Sequence, residues 1–129
     1  MSSTKTDAPS TARRVLVVDD NVDAAESLAA LLRLFGHEVD VAFDGEQALT
    51  VAPEVKPDLV LLDLGMPRMD GHEVARRMRA APWGGRMRII ALSGFGDSAD
   101  RARSLEAGCD DHLVKPVSPV DLELALAHN

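Results

Sequence analysis

The chain has 129 residues, 46% of them hydrophobic, which suits one domain with one buried core. Its net charge of −7 argues against a nucleic-acid surface, which needs clustered Lys and Arg, and against binding to anionic membranes. The lone Cys109 excludes an internal disulfide and fits a reducing compartment, read as the cytoplasm, and no apolar run approaches membrane-spanning length. Residues 1–12 are rich in Ser, Thr, Ala and Pro without an apolar segment. They read as a disordered tail and not as a secretory signal, leaving 13–129 as the folded domain.

Arg14-Val15-Leu16-Val17-Val18 is a short apolar run that ends in Asp19-Asp20-Asn21. Asn21 is a good N-cap, and Val22, Ala25, Leu28, Ala29 and Leu32 follow at helical spacing until Gly36 closes the helix. Val39-Asp40-Val41-Ala42 alternates as a less buried strand does. Asp44-Gly45-Glu46-Gln47 resembles a capping box and opens a helix expected to end near Ala52, with Pro53 and Pro57 bracketing the next loop. Leu59-Val60-Leu61-Leu62 is then an unbroken apolar run that enters Asp63, followed by Leu64-Gly65-Met66-Pro67. Such a run reads as a strand buried on both faces. Asp70-Gly71-His72-Glu73 begins a third helix that carries Val74 and Met78 and stops at Pro82-Trp83-Gly84-Gly85. Arg88-Ile89-Ile90-Ala91-Leu92 is a further buried strand ending in Ser93-Gly94. A fourth helix starts at Asp97 or Ser98 and closes at Gly108. His112-Leu113-Val114 leads into Lys115-Pro116, and Ser118-Pro119 pairs an N-cap with proline at the first helical position.

Five strands alternating with five helices imply a parallel sheet with helices on both faces and right-handed crossovers. Parallel strands share one C-terminal edge. Asp19 and Asp20, Asp63, Ser93 and Lys115 all fall there, while the second strand ends without such a group. With the order 2-1-3-4-5, strands 1 and 3 are neighbours at the switch point where ligands bind, and the three carboxylates meet. Carboxylates so close repel strongly, and a divalent cation relieves this; oxygen ligands without cysteine favour Mg²⁺ or Mn²⁺ over Zn²⁺. Acids, cation, the Lys115 ammonium and the Ser93 hydroxyl around one point suit a transferring phosphoryl group. Asp63 is then the nucleophile that becomes an aspartyl phosphate.

Val17-Val18-Asp19-Asp20-Asn21, Leu61-Leu62-Asp63-Leu64-Gly65-Met66-Pro67 with Met69-Asp70-Gly71, Ala91-Leu92-Ser93-Gly94 and Leu113-Val114-Lys115-Pro116 give the chain a specific likeness. In their order and spacing, over roughly residues 13–127, it resembles a receiver domain of the two-component response regulators. The resemblance implies a single-domain, doubly wound, flavodoxin-like α/β fold. It implies that Asp63 takes a phosphoryl group from a phosphohistidine on a sensor histidine kinase or a histidine phosphotransfer protein. Asp20 would bind Mg²⁺ most directly and Asp19 partly through water, with the Gly65 backbone carbonyl completing the protein ligands. Ser93 and Lys115 would contact phosphoryl oxygens, and the bond before Pro116 would be cis. One departure stands out. Where the family often has Tyr or Phe as a switch residue, three before the lysine, this chain has His112.

Each residue alone has a plainer reading. Asp19 and Asp20 could cap a helix, Asp63 and Ser93 could be turn residues, and Lys115 a solvated loop lysine; the ensemble outweighs these. Gly94-Phe95-Gly96-Asp97-Ser98-Ala99 fits a dinucleotide-binding pattern, yet it follows the fourth strand and too little chain remains for a nucleotide half-domain. The competing functions are a receiver-like scaffold that is never phosphorylated and an enzyme with an aspartate nucleophile. Haloacid-dehalogenase-type enzymes need a second carboxylate two residues after the first, where this chain has Gly65. A flavodoxin-like carrier would need Ser, Thr and Gly in the first turn instead of Asp-Asp-Asn. The expected role is thus a signalling phosphoacceptor and not an enzyme. In the last helix, Leu122, Ala125 and Leu126 share one face and Val120, Leu124 and Ala127 the other. The family pattern points to Leu122 and Leu126 as buried, which leaves the Val120, Leu124 and Ala127 face either as a candidate partner or homodimer interface together with the fourth helix or, equally, as the part of a longer helix that packs onto a following segment. The wording around Gly65 and Ser93 resembles receivers attached to hybrid kinases. Trp83 is expected at the edge opposite the acids.

Overall fold

Strand residues alternate between two faces, and this alternation divides the core in two. A computed structural model describes residues 13–66, 69–85, 87–94 and 98–127. The expected tail over 1–12, Pro67, and the loop residues Phe95, Gly96 and Asp97 lie outside the described residues. The strands are β1 (Arg14–Val18), β2 (Glu38–Ala42), β3 (Leu59–Asp63), β4 (Arg88–Ser93) and β5 (Asp111–Val114). The helices are α1 (Val22–Leu34), α2 (Gly45–Val55), α3 (Gly71–Ala80), α4 (Ser98–Ala107) and α5 (Pro119–Ala127). All strand pairs are parallel, in the expected order β2-β1-β3-β4-β5.

On one face Leu16, Val18, Val60, Leu62, Ile89 and Ala91 pack under α2 and α3, with Ala107 from the end of α4. On the other, Val15, Val17, Leu59, Leu61, Ile90 and Leu92 pack under α1 and α5. β3 is buried along its whole length, as an apolar run at the centre of a doubly covered sheet must be. α4 is the lightly held helix, burying only Ser104 and Ala107 among the described residues.

The helix starts follow from their caps. Asn21, Asp44 and Asp70 each accept a backbone N–H three residues on, and Ser118 does the same for α5. The reciprocal half of the capping box differs from expectation. Gln47 accepts from the N–H of Phe43, before the cap, and Glu73 pairs with Arg76 and Arg77 instead. The second helix also runs past the expected stop at Ala52, with Pro53 inside it. Proline removes one donor, the one due to the Leu49 carbonyl. The last turn survives because Ala52 is buried and its carbonyl accepts from Lys56 at 2.9 Å. Lys56 closes the helix at a left-handed φ of 53°.

Candidate functional site

Val18 pairs with Leu62, so Asp19 and Asp63 leave adjacent strands side by side at the switch point. Asp19 and Asp63 are buried and Asp20 is exposed, and the three carboxylates offer oxygens that all lie within 4.8 Å of one another. Asp19 is fixed by the Asn21 N–H at 3.0 Å, and Asp63 by the Gly65 N–H at 3.1 Å. Lys115 reaches in from the end of β5. Its Nζ lies 3.2 Å from Asp63 Oδ1 and 3.4 Å from Asp19 Oδ2. Its own N–H donates to the Ser93 carbonyl at 2.7 Å, and the Lys115–Pro116 peptide is cis.

The charges bear on one another. Burial raises the pKa of Asp19, the Asn21 N–H lowers it, and the Asp63 charge raises it further. Burial alone would lower the pKa of Lys115, but the Asp63 and Asp19 carboxylates outweigh burial and raise it. Two unit charges 4.8 Å apart repel by about 3–4 kcal/mol at an effective dielectric near 20. One ammonium among three carboxylates leaves the cluster net negative. A hard, oxygen-seeking divalent cation fits this donor set, with Asp19, Asp20 and Asp63 as the side chains able to hold it.

Ser93 ends β4 beside Leu92, which pairs with Asp63. Its hydroxyl lies 3.0 Å from Asp100 Oδ2 and 2.7 Å from His112 Nε2. His112 is buried and meets Ser104 Oγ through Nδ1 at 3.2 Å. The structure thus gathers Asp19, Asp20, Asp63 and Lys115 directly and ties Ser93 to His112. Asp100 and Ser104 went unnoticed in the sequence. An acid in a first helical turn reads as a dipole partner, and only their four-residue spacing hints at a shared face. On α5, Leu122, Ala125 and Leu126 are buried, while Val120, Leu124 and Ala127 are exposed. Exposed Leu105 on α4 and Val114 on β5 add apolar surface.

A five-stranded parallel sheet in this order, with acids and a lysine at the switch point, defines a flavodoxin-like domain of the receiver type. The family model of the response regulator receiver domain matches residues 15–127. The chain therefore belongs to that family and is a receiver domain of two-component response regulators. It is 43% identical over 111 residues to the probable transcriptional regulator ycf27 of Cyanophora paradoxa, covering 86% of this chain and 45% of that protein. It is 44% identical over 110 residues to the DNA-binding response regulator MtrA of Mycobacterium tuberculosis, covering 85% and 47%. The chain spans about half the length of these relatives. Among solved structures, chemotaxis protein CheY4 of Vibrio cholerae superposes with a TM-score of 0.85 at 29% identity, covering 89% of this chain and 96% of that one. The receiver domain of sensor histidine kinase PA1611 of Pseudomonas aeruginosa, solved with a magnesium ion in its active site cleft, gives 0.81 at 35% identity, covering 89% and 94%. No helix among the described residues is long and apolar enough to cross a membrane.

Proposed function

We propose that Asp63 is the phosphoacceptor of this signalling module and takes its phosphoryl group from a phosphohistidine on a sensor histidine kinase or histidine phosphotransfer protein. The observation that carries this reading is the position of the Lys115 ammonium, 3.2 Å from Asp63 and 3.4 Å from Asp19, within the three-acid cluster at the switch point. An Asp63 carboxylate oxygen attacks phosphorus, the O–P bond forms as the P–N bond to imidazole breaks, and the imidazole leaves with a proton from solvent. Lys115 compensates charge on the transferring oxygens, and the Ser93 hydroxyl hydrogen-bonds to one of them once it turns toward Asp63. Asp19, Asp20, Asp63 and the Gly65 carbonyl are the groups that would hold Mg²⁺ or Mn²⁺, which supplies positive charge to the phosphoryl oxygens when bound. The domain works as a switch and not as an enzyme with its own substrate, catalysing only its own phosphorylation and dephosphorylation.

We further assign it to the cytoplasm, consistent with the buried free Cys109. The relatives include DNA-binding regulators, but the charge of −7 supports no nucleic-acid role for this segment itself. Val120, Leu124 and Ala127, continued by Leu105 of α4, are the proposed partner or homodimer surface. The 13–129 segment is taken as the receiver unit, whether it works alone or within a longer regulator or hybrid kinase.

Incubation with Mg²⁺ and a small phosphodonor, followed by mass spectrometry, tests the central claim. One hydroxylamine-labile phosphoryl group is expected in the native chain and none in Asp63→Asn. Absence of modification, or its persistence in that variant, overturns the reading.

A further inference from the structure

Ser93 belongs to a second polar cluster, made of Asp100 and Ser104 from α4 and His112 from β5. Ser93 and His112 are buried, and Ser104 is fully so. A Ser, His and Asp together suggest a hydrolytic triad, but the geometry excludes one. A triad's acid holds Nδ1 of the imidazole while Nε2 faces the serine. Here Asp100 Oδ2 stands 3.5 Å from Nε2, the nitrogen that already meets Ser93, and Nδ1 faces Ser104.

Ser104 has one hydroxyl hydrogen and two partners at 3.2 Å able to accept it, the Asp100 carbonyl and Nδ1 of His112. With hydrogen on Nδ1 alone, Nε2 accepts the Ser93 hydrogen at 2.7 Å and none is left for Asp100. With hydrogen on Nε2 both Ser93 contacts are hydrogen bonds: Nε2–H donates to Ser93, and Ser93 donates to Asp100 at 3.0 Å. In this second arrangement Asp100 holds the Ser93 hydrogen. A phosphoryl oxygen on Asp63 must therefore compete for it. The helix that supplies Asp100 buries few side chains, so a polar contact in its first turn matters to its placement.

We propose that Asp100 is a positioning residue that, with Nε2–H of His112, holds the Ser93 hydroxyl until a phosphoryl group on Asp63 competes for its hydrogen, so that modification of Asp63 is felt as loss of the Ser93–Asp100 bond at the start of α4. This rests on the phosphoacceptor reading of Asp63 and Ser93 and adds the group that opposes it.

The test uses the full chain, Mg²⁺ and beryllofluoride, which imitates a phosphoryl group on a carboxylate, with affinity read by titration calorimetry and fluorine NMR. Asp100→Ala is expected to bind beryllofluoride about fivefold tighter, the ratio that one net hydrogen bond of ~1 kcal/mol corresponds to. In a Ser93→Ala background the same substitution is expected to change nothing. Asp100→Asn, which keeps an acceptor oxygen and the helix start, is expected to stay within about twofold of the parent. Unchanged affinity in Asp100→Ala overturns the proposal alone. So does an equal gain with and without Ser93, or an Asp100→Asn variant matching Asp100→Ala, since either means that charge and not the hydrogen bond is responsible. No beryllofluoride binding by the native chain overturns the phosphoacceptor reading itself, and this inference with it. Unchanged imidazole ¹⁵N shifts of His112 between the native chain and Asp100→Ala, measured without ligand, likewise overturn the clamp.

Discussion

Asp63 is a residue under electrostatic load. Asp19 and Asp20 bring oxygens within 4.8 Å of it, and Lys115 answers only one unit of that charge. Removing the carboxylate while keeping its shape should therefore relieve the fold. Asp63→Asn is expected to raise stability without divalent ions by about 1 kcal/mol, roughly 3–6 °C in melting temperature. Mg²⁺ should reverse the order by stabilising the native chain more, by about 1.4 kcal/mol at ten times Kd. Thermal melts with and without MgCl₂ decide this, and equal Mg²⁺ shifts in both proteins would count against a shared site. At this scale the acids were legible because each ends an apolar run. Asp100 was not, because its meaning lies in a hydrogen bond across 7 residues to Ser93 and in the ring of His112, which no local pattern encodes.

Elements are joined here by a few side chains whose roles emerge only from packing. Arg79 leaves the end of α3 and donates to the carbonyls of Gly108 at 2.8 Å, Gly84 at 2.8 Å and Met87 at 2.7 Å, while pairing with Asp110. It thus fastens α3 to the loops that feed β4 and β5. Arg79→Ala is expected to lose about 3 kcal/mol, and Arg79→Lys to recover little, because an ammonium cannot serve several carbonyls in a planar fork. Urea denaturation of both variants checks this; a native midpoint in Arg79→Lys would refute the fork argument. Gly108 beside it has a φ of 108°, and an added Cβ would meet Arg79 Cγ at 2.6 Å. Gly71 matters to the site itself. A Cβ there would fall 2.5 Å from the Asp63 carbonyl oxygen and 2.6 Å from Leu64 Cα. Gly71→Ala should consequently push α3 off the β3 end, lower stability and slow the phosphoryl uptake proposed for Asp63, measured by melting and phosphodonor kinetics on the same sample. Strand and helix order followed from apolar runs and caps, as the match of Asn21, Asp70 and Ser118 to their N–H partners shows. The length of α2 did not, because burial of Ala52 outweighs the local signal of Pro53.

At the scale of the whole molecule, the sheet separates two edges. The acids, Ser93 and Lys115 occupy the C-terminal one, and Trp83 sits in the turn before β4 at the other. The six residues of β4 put about 20 Å between them, so Trp83 fluorescence is expected to change little on Mg²⁺ titration; a large change would refute this separation. Global stability should in turn depend on two buried histidines, His37 before β2 and His72 in the first turn of α3. Burial, and then Arg13, lowers the pKa of His37, whose Nδ1 accepts the Arg13 N–H at 3.0 Å and so loses that bond if protonated there. Burial, and then Arg103, lowers the pKa of His72, whose Nε2 has no hydrogen-bond partner among the described residues. Above the ordinary histidine value near 6.5, folded and unfolded chains hold both rings neutral and stability is flat in this respect. As pH falls below it, the unfolded chain takes up protons that the folded one refuses, so stability falls until the lowered folded values are passed. Asp19 acts oppositely in the acid range, since its raised pKa favours proton uptake by the folded state. Comparing proteins at the same pH separates the two. Urea midpoints at pH 7.5 and 5.5 are expected to drop more for the native chain than for His37→Gln combined with His72→Leu. The second substitution should also stabilise at pH 7.5, because it removes a buried nitrogen without a partner. Parallel pH profiles in the two proteins would show that neither histidine resists protonation in the folded state.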